Sequence, residues 1–253
     1  MILYSILGAF LFIVIYFRLY LFFVPENRLT ILMYHQIEKE SHEDLTVSME
    51  NLEKQFRYLS ENKYRPKFFS EINVPSRKSI IITFDDGYKN NGEYLPALLK
   101  KYNLKATVFI PTRYIEAGYK NYRMMTFEDI RNLDRNYFEI ALHSHEHQNF
   151  RNVSADFIEK DLITNRQILD REHIPYSRVL AYPYGKYPKK DPEKKAVFSV
   201  LGKAGIDYAV RIGNKINYFP SKSPYELCRI DIKGKDSMFH FKLKLIFGRL
   251  KLF

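Results

Sequence analysis

Short apolar runs alternate along the chain with stretches whose apolar residues recur at helical spacing. Residues 29–34 (LTILMY) form a buried-type strand run that ends at the polar His35. From Ser48 to about residue 62, Leu52, Phe56 and Leu59 share one helical face. Residues 79–84 (SIIITF), 105–110 (KATVFI) and 138–142 supply the second, third and fourth strands. Residues 178–182, 206–210 and 226–232 supply the fifth, sixth and seventh. Between them the pattern predicts helices over 92–102, from Thr126 to about Arg135, from Ser154 onward, and over 191–204. Thr126 with Asp129 three residues on has the form of a capping box. In the helix after Ser154, the apolar positions are Ile158, Leu162, Ile168 and Leu169. Strands alternating with helices imply βα units on a parallel sheet, so the fold class is α/β, a distorted (β/α)7-type barrel. Reactive groups in such a barrel gather just after the strands.

The two ends of the chain depart from this pattern. Residues 1–17 carry no charged side chain, and after Arg18 the run 19–24 is apolar again. Twenty-four helical residues would span about 36 Å, enough for a bilayer core, and Arg18 could snorkel near one end. No Lys or Arg precedes the run and no small-x-small pattern precedes Pro25, so an uncleaved N-terminal transmembrane helix is expected rather than a signal peptide. The expected organisation is an anchor over 1–24, a catalytic domain over 25–240 and a basic amphipathic tail over 241–253. In the tail, Leu243, Ile246, Phe247, Leu250 and Phe253 fall at helical spacing among Lys242, Lys244, Arg249 and Lys251. It either lies on anionic lipid or packs as a terminal helix. The expected location is a bacterial cell membrane with a single pass. Arg18 and Arg28 follow the apolar run, which taken alone would leave the domain on the cytoplasmic side. The membrane side is left open.

Composition narrows the chemistry. The 253 residues carry 40 Lys+Arg against 29 Asp+Glu, a formal charge of +11, with 46% hydrophobic and 27% charged residues. That balance excludes a disordered chain. The single cysteine, Cys228, excludes an intrachain disulfide and any multi-thiolate metal site. A bound metal must therefore be held by His and carboxylates. The positive charge is spread along the chain with no nucleic-acid motif, so nucleic acid is not expected as a partner, and no obligate protein partner is evident.

Three segments sit where strands should end. TFDDG at 83–87 places Asp85 and Asp86 side by side. Neighbouring side chains on a strand point to opposite sides, which suits two jobs, one carboxylate on a metal and one left as a base. A plain turn closed by Gly87 is the alternative. HSHEH at 143–147 offers His143 and His147 four residues apart, with His145 to spare. Two imidazoles and a carboxylate make a three-ligand divalent site, zinc being the first choice, with a position open for water. LAYPYG at 180–185 is ordinary turn chemistry that could shape a groove and offer a backbone N–H to an oxyanion.

In this order, the segments resemble the polysaccharide deacetylases of the NodB-homology group, carbohydrate esterase family four. TFDDG is the family's first motif unchanged, and His143-Ser144-His145-Glu146-His147 fits its His-Ser/Thr-x-x-His. Glu139-Ile140 and Asn149-Phe150 also look like the family's surroundings. The stretch 31–37 (ILMYHQI), then 46–72, is similar to the poly-N-acetylglucosamine branch. The resemblance covers about residues 29–232 and favours the outer side of the membrane. It implies Asp86, His143 and His147 as metal ligands, Asp85 as general base, and backbone around Tyr184 at the oxyanion. Metal-assisted hydrolysis of an N-acetyl amide on a glycan follows. The chain departs from the family at two places. Ala181 stands where many members have an Arg that tethers the base, and the late Leu-x-x-His motif is not evident. Arg229, in LCRID, is the candidate replacement for that tether and, with Pro183 and Tyr184, an expected substrate contact. His35 is the candidate acid, better placed than His240 beside the basic tail. A second reading is a catalytically silent glycan-binding relative that keeps the metal. A third is a glycosidase, but its carboxyls must stand about 5 to 9.5 Å apart across a sugar bond, which adjacent Asp85 and Asp86 beside histidines suit poorly.

Overall fold

The seven apolar runs pair side by side until the last meets the first. The computed structural model describes residues 2–16, 25–40, 43–72 and 76–249. Helix α1 is Ile2–Tyr16, followed by β1 (Arg28–Tyr34), β2 (Gln36–Glu38), β3 (Thr46–Ser48), α2 (Met49–Glu61) and β4 (Arg65–Pro66). Next come β5 (Ser79–Phe84), α3 (Lys89–Tyr102), β6 (Ala106–Ile110), α4 (Thr112–Ala117), α5 (Phe127–Arg131) and β7 (Phe138–Leu142). The order ends with α6 (Ala155–Arg171), β8 (Ser177–Ala181), α7 (Glu193–Lys203), β9 (Tyr208–Ile212), β10 (Asn217–Tyr218), β11 (Leu227–Asp231) and α8 (Met238–Phe247).

β1 pairs in parallel with both β5 and β11, closing a ring in the order β1-β5-β6-β7-β8-β9-β11. The ring is the expected seven-stranded parallel barrel, and its distortions are local. β6 meets β5 only from Ile82 onward, and β4 takes the vacated edge at Ser79 and Ile80. β11 meets β1 only from Leu32, and the antiparallel β10 takes Arg28 and Leu29. These two-residue strands supply partners to backbone groups that would otherwise be left unpaired at the barrel floor. A register slip between β7 and β8 falls at Ala141/Leu142, immediately before His143.

Side-chain parity divides each strand. Ile31, Ile81, Phe109, Ala141, Val179, Ala181, Val210 and Leu227 fill the barrel, with Phe69 and Phe219 in the same cluster. Their neighbours, such as Leu32, Ile82, Val108, Ile140 and Leu180, face the helices. Continuing the inward parity upward from Ile81 gives Thr83 and Asp85, from Ala141 gives His143, and from Leu227 gives Arg229. The same period of two that packs the core thus delivers chemistry to the rim.

Helix ends follow their capping residues. Ser48 and Ser154 accept from Asn51 N and Phe157 N, and the Thr126/Asp129 box forms in both directions. The helix after Thr126 stops at Arg131 rather than near Arg135, because Asp134 accepts from Asn136 N and turns the chain. The sixth strand begins at Tyr208 rather than Ile206, whose N–H closes the end of α7 on Leu201 O.

The two termini bear differently on the expectations. Helix α1 has 15 residues, about 22 Å long at the helical rise. No described helix is long and apolar enough to cross a membrane, and residues 17–24 lie outside the described residues. The expected transmembrane anchor over 1–24 is therefore without support in the described structure. At the other end, α8 packs on the domain with Phe241 and Leu245 buried, Phe241 lying edge-on to Tyr58 of α2. Burying two such side chains contributes about 1.5–3 kcal/mol each. Arg28, expected as a membrane-flanking charge, is buried and donates to the carbonyls of Leu245 and Ile246 at the end of α8. Residues 250–253 of the expected tail lie outside the described residues.

Candidate active site

Three rim loops, after β5, β7 and β8, bring the predicted residues together. Asp86, Ser144, His147 and Tyr184 all adopt positive φ, between 53° and 74°. Such backbone is uncommon for non-glycine residues and recurs where loops are bent for function. The turn through Tyr184 closes on Gly185 at φ +63°, where a Cβ would lie 2.8 Å from the backbone N of Ile212 on β9.

Asp86, His143 and His147 converge. One ligand atom from each lies within 4.8 Å of the others. Asp86 Oδ1 is 3.3 Å from His147 Nε2 and 3.6 Å from His143 Nε2, and the two Nε2 atoms are 3.3 Å apart. Nδ1–H of His143 donates to the Ala181 carbonyl at 2.7 Å, which leaves its Nε2 with a free lone pair. Asp86 Oδ1 is buried with no hydrogen-bond partner. Lone pairs gathered this closely repel unless a cation lies among them, and the N,N,O donor set fits a divalent metal. Burial, then the neighbouring His143, pushes His147 down to about 4, so its imidazole stays neutral at physiological pH.

Two tyrosines that the sequence reading passed over hold this triad from outside. Tyr88 donates to Asp86 Oδ2 at 3.2 Å, and the Tyr114 hydroxyl lies 2.9 Å from His147 Nδ1. Burial first, and then the Asp86 charge, raises both phenols, so they keep their protons. An aromatic chain joins them: Tyr114 stacks on Tyr119 at 4.0 Å, Tyr119 on Tyr122 at 6.0 Å, and Tyr122 meets Tyr88 edge-on at 5.5 Å. Among 20 tyrosines without a motif, nothing in the sequence singles these out.

Asp85, 3.8 Å from His143 Nε2, has a partner of its own. Arg229 donates to both of its oxygens, at 2.6 and 2.7 Å, and to Thr83 Oγ1 at 3.2 Å. The guanidinium lies 5.3 Å from the centroid of the Phe109 ring. Burial opposes ionisation of Asp85, but the Arg229 charge and then His143 hold it well below the usual carboxylate range. His35 Nε2 is 3.9 Å from Asp85 Oδ2.

The expected substrate contacts divide. Tyr184 is 53% exposed, its ring 4.9 Å from that of His147. Pro183 is buried within its turn, and Arg229 is 1% exposed beneath Asp85, out of a substrate's reach. Both are therefore buried, unlike Tyr184. Ala181 faces the barrel interior, and Arg229 reaches Asp85 from another strand. His145 turns away, its Nδ1 2.9 Å from Thr112 Oγ1, while Asp161 of α6 accepts from the N–H groups of His145 and Glu146 and holds the histidine loop.

Residues 73–208 match the family model described as polysaccharide deacetylase. The chain belongs to the polysaccharide deacetylase family. YxkH of Bacillus subtilis (strain 168), named for the same family, is 29% identical over 167 residues. That match covers 63% of this chain and 58% of YxkH, so this chain spans less than two thirds of that relative's length. The poly-beta-1,6-N-acetyl-D-glucosamine N-deacetylase of Staphylococcus aureus (strain MRSA252) is 24% identical over 249 residues, covering 87% of this chain and 83% of the relative. Among solved structures, the Streptococcus pyogenes deacetylase PplD in complex with acetate matches with a TM-score of 0.75 at 20% identity, over 87% of this chain and 99% of that one. That likeness is one of fold.

Proposed function

We propose that this member of the family is a metal-dependent hydrolase that removes N-acetyl groups from an N-acetylated glycan. The observation that carries the reading is the separation of the two carboxylates. Asp86 Oδ1 faces two imidazoles without a hydrogen-bond donor, while Asp85 is held bidentately by Arg229. Asp86, His143 and His147 are the residues that would hold the ion, and zinc suits their donor set. When bound, a divalent ion supplies a Lewis acid for the acetyl carbonyl and makes a water a better nucleophile. Asp85, ionised at neutral pH and fixed in orientation, accepts the proton of the attacking water. His35, beside Asp85, returns a proton to the sugar nitrogen as the C–N bond breaks, and acetate and a free amine leave. The exposed ring of Tyr184 offers a face to the sugar, and the backbone beside it is the oxyanion contact that the family resemblance implies.

Because the Staphylococcus aureus relative is named for poly-beta-1,6-N-acetyl-D-glucosamine, polymers of N-acetylglucosamine are the first substrates to test. The full chain, in detergent, would be assayed for bound metal and for acetate released from N-acetylglucosamine oligomers and polymers. Asp85→Asn is expected to keep the metal and lose about 10²–10⁴-fold in turnover. Metal without acetate from any glycan would identify the silent glycan-binding relative instead. A folded protein that takes up no metal would overturn the ligand assignment.

A further inference from the structure

The segments that follow His147 and Tyr184, with the first turns of α6 and α7, line an open groove of about 720 Å³. Three of its lining residues are cations: Arg151, four residues past His147, and Lys189 and Lys190, just beyond Tyr184. The acid among the lining residues is Glu193. Val153 and Pro188 add apolar wall of the kind a sugar ring packs on. Lysines close by are neutralised, Lys194 by Glu226 at 3.0 Å and Lys195 by Asp191 at 2.9 Å. Among the described residues, none of the three groove cations has such a partner. Lys189 Nζ lies instead 3.4 Å from the centroid of the Tyr187 ring. Partial burial, and then the charges of Arg211 and Arg151 against a partial offset from Glu226, pushes its ammonium down to about 8. Three cations against one lining acid, none of them in an ion pair among the described residues, favour an anionic ligand.

We propose that this groove is a subsite for an anionic group, a carboxylate or a phosphate, carried on the same glycan as the N-acetyl sugar. The natural substrate is then an acidic rather than a neutral N-acetylated glycan. The inference rests on the deacetylase reading of the site and specifies its substrate class.

Equilibrium binding tests it without turnover, using the full chain bearing Asp85→Asn and titration calorimetry at low salt. Three probes of equal length are compared: a neutral N-acetylglucosamine hexamer, a hexamer alternating N-acetylglucosamine with glucuronate, and N-acetylglucosamine units joined by phosphodiesters. An acidic probe is expected to bind about tenfold more tightly than the neutral one, and which of the two does so identifies the anion. Adding Arg151→Gln with Lys189→Gln should bring the acidic probe down to the neutral probe's affinity, whereas Lys189→Arg should keep the preference. Glu193→Gln should enlarge it, and added salt should shrink it. Equal binding of all three probes, or a preference that survives the double substitution, overturns the subsite. In the chain with Asp85 intact, acetate release is followed on the same three probes. Absence of acetate from every glycan would instead count against the deacetylase reading, while the binding comparison would still decide the groove.

Discussion

Two buried carboxylates project into the same barrel and do opposite work. Glu139, on β7, accepts from Phe69 N at 3.0 Å, Ser70 N at 3.2 Å and Thr107 Oγ1 at 2.8 Å. Its donors are neutral, and they fasten the turn that sets Phe69 edge-on against Phe109 in the barrel core. Asp85, at the rim, takes its hydrogen bonds from a single cation, Arg229, and stands 3.8 Å from His143 Nε2. Both are almost fully buried, so burial does not distinguish a structural acid from a reactive one. The partners do: neutral donors saturate Glu139 from several sides, whereas a clamp from below leaves Asp85 beside the ligand cluster. Asp86 extends the contrast, since one of its oxygens is taken by Tyr88 and the other has no donor.

The largest effect should come from removing the clamp. Arg229→Met leaves a buried carboxylate without its counter-charge and should cost about 3–5 kcal/mol in denaturant unfolding at neutral pH. The Asp85 pKa in the folded protein lies below its unfolded value of about 3.9, so the pair's contribution is present above about pH 4 and is lost as pH falls through the folded value. In the variant that carboxylate should titrate at higher pH, moving the acid limb of acetate release upward. A limb that stays in place would remove Asp85 from the proton-transfer step.

Glu139→Gln should be next, at about 1–3 kcal/mol, because its amide cannot satisfy all three donors. Metal affinity and acetate release below the unfolding transition should stay at the unsubstituted values. A loss of activity in the folded variant would erase the contrast between the two acids. The smallest effect is expected from Tyr114→Phe, which keeps the stack on Tyr119 and removes only the hydroxyl beside His147. Metal binding should weaken about tenfold in competition with a chelator, with turnover at saturating metal little changed. Unchanged affinity would reduce Tyr114 to packing.

The barrel was legible because its signal is local. Runs such as SIIITF and ATVFI are apolar and β-branched, and serine or threonine marks the helix starts at 48, 126 and 154. What escaped was too short to have a period: β4 and β10 have two residues each, and α4 has six. The cluster of Asp86, His143 and His147 was legible because motif spacing brings these residues together and leaves His145 to spare, but what holds His145 aside was not: Thr112 and Asp161, from α4 and α6, do so. Arg229 was named both as a tether and as a substrate contact, and only its burial separates the two.

The sequence by itself determined the strands, the order of the rim loops and the identities of Asp85, Asp86, His143 and His147, since each depends on residues a few positions apart. Tertiary structure decided the rest. Arg229 reaches Asp85 across 144 residues because barrel closure sets β11 beside β1 and β1 beside β5, with both side chains on the inner parity. Tyr114 meets His147, and the Arg151 and Lys189 loops flank one groove, for the same reason. A parallel barrel collects the ends of distant strands on one rim, and no local pattern records which of them will touch.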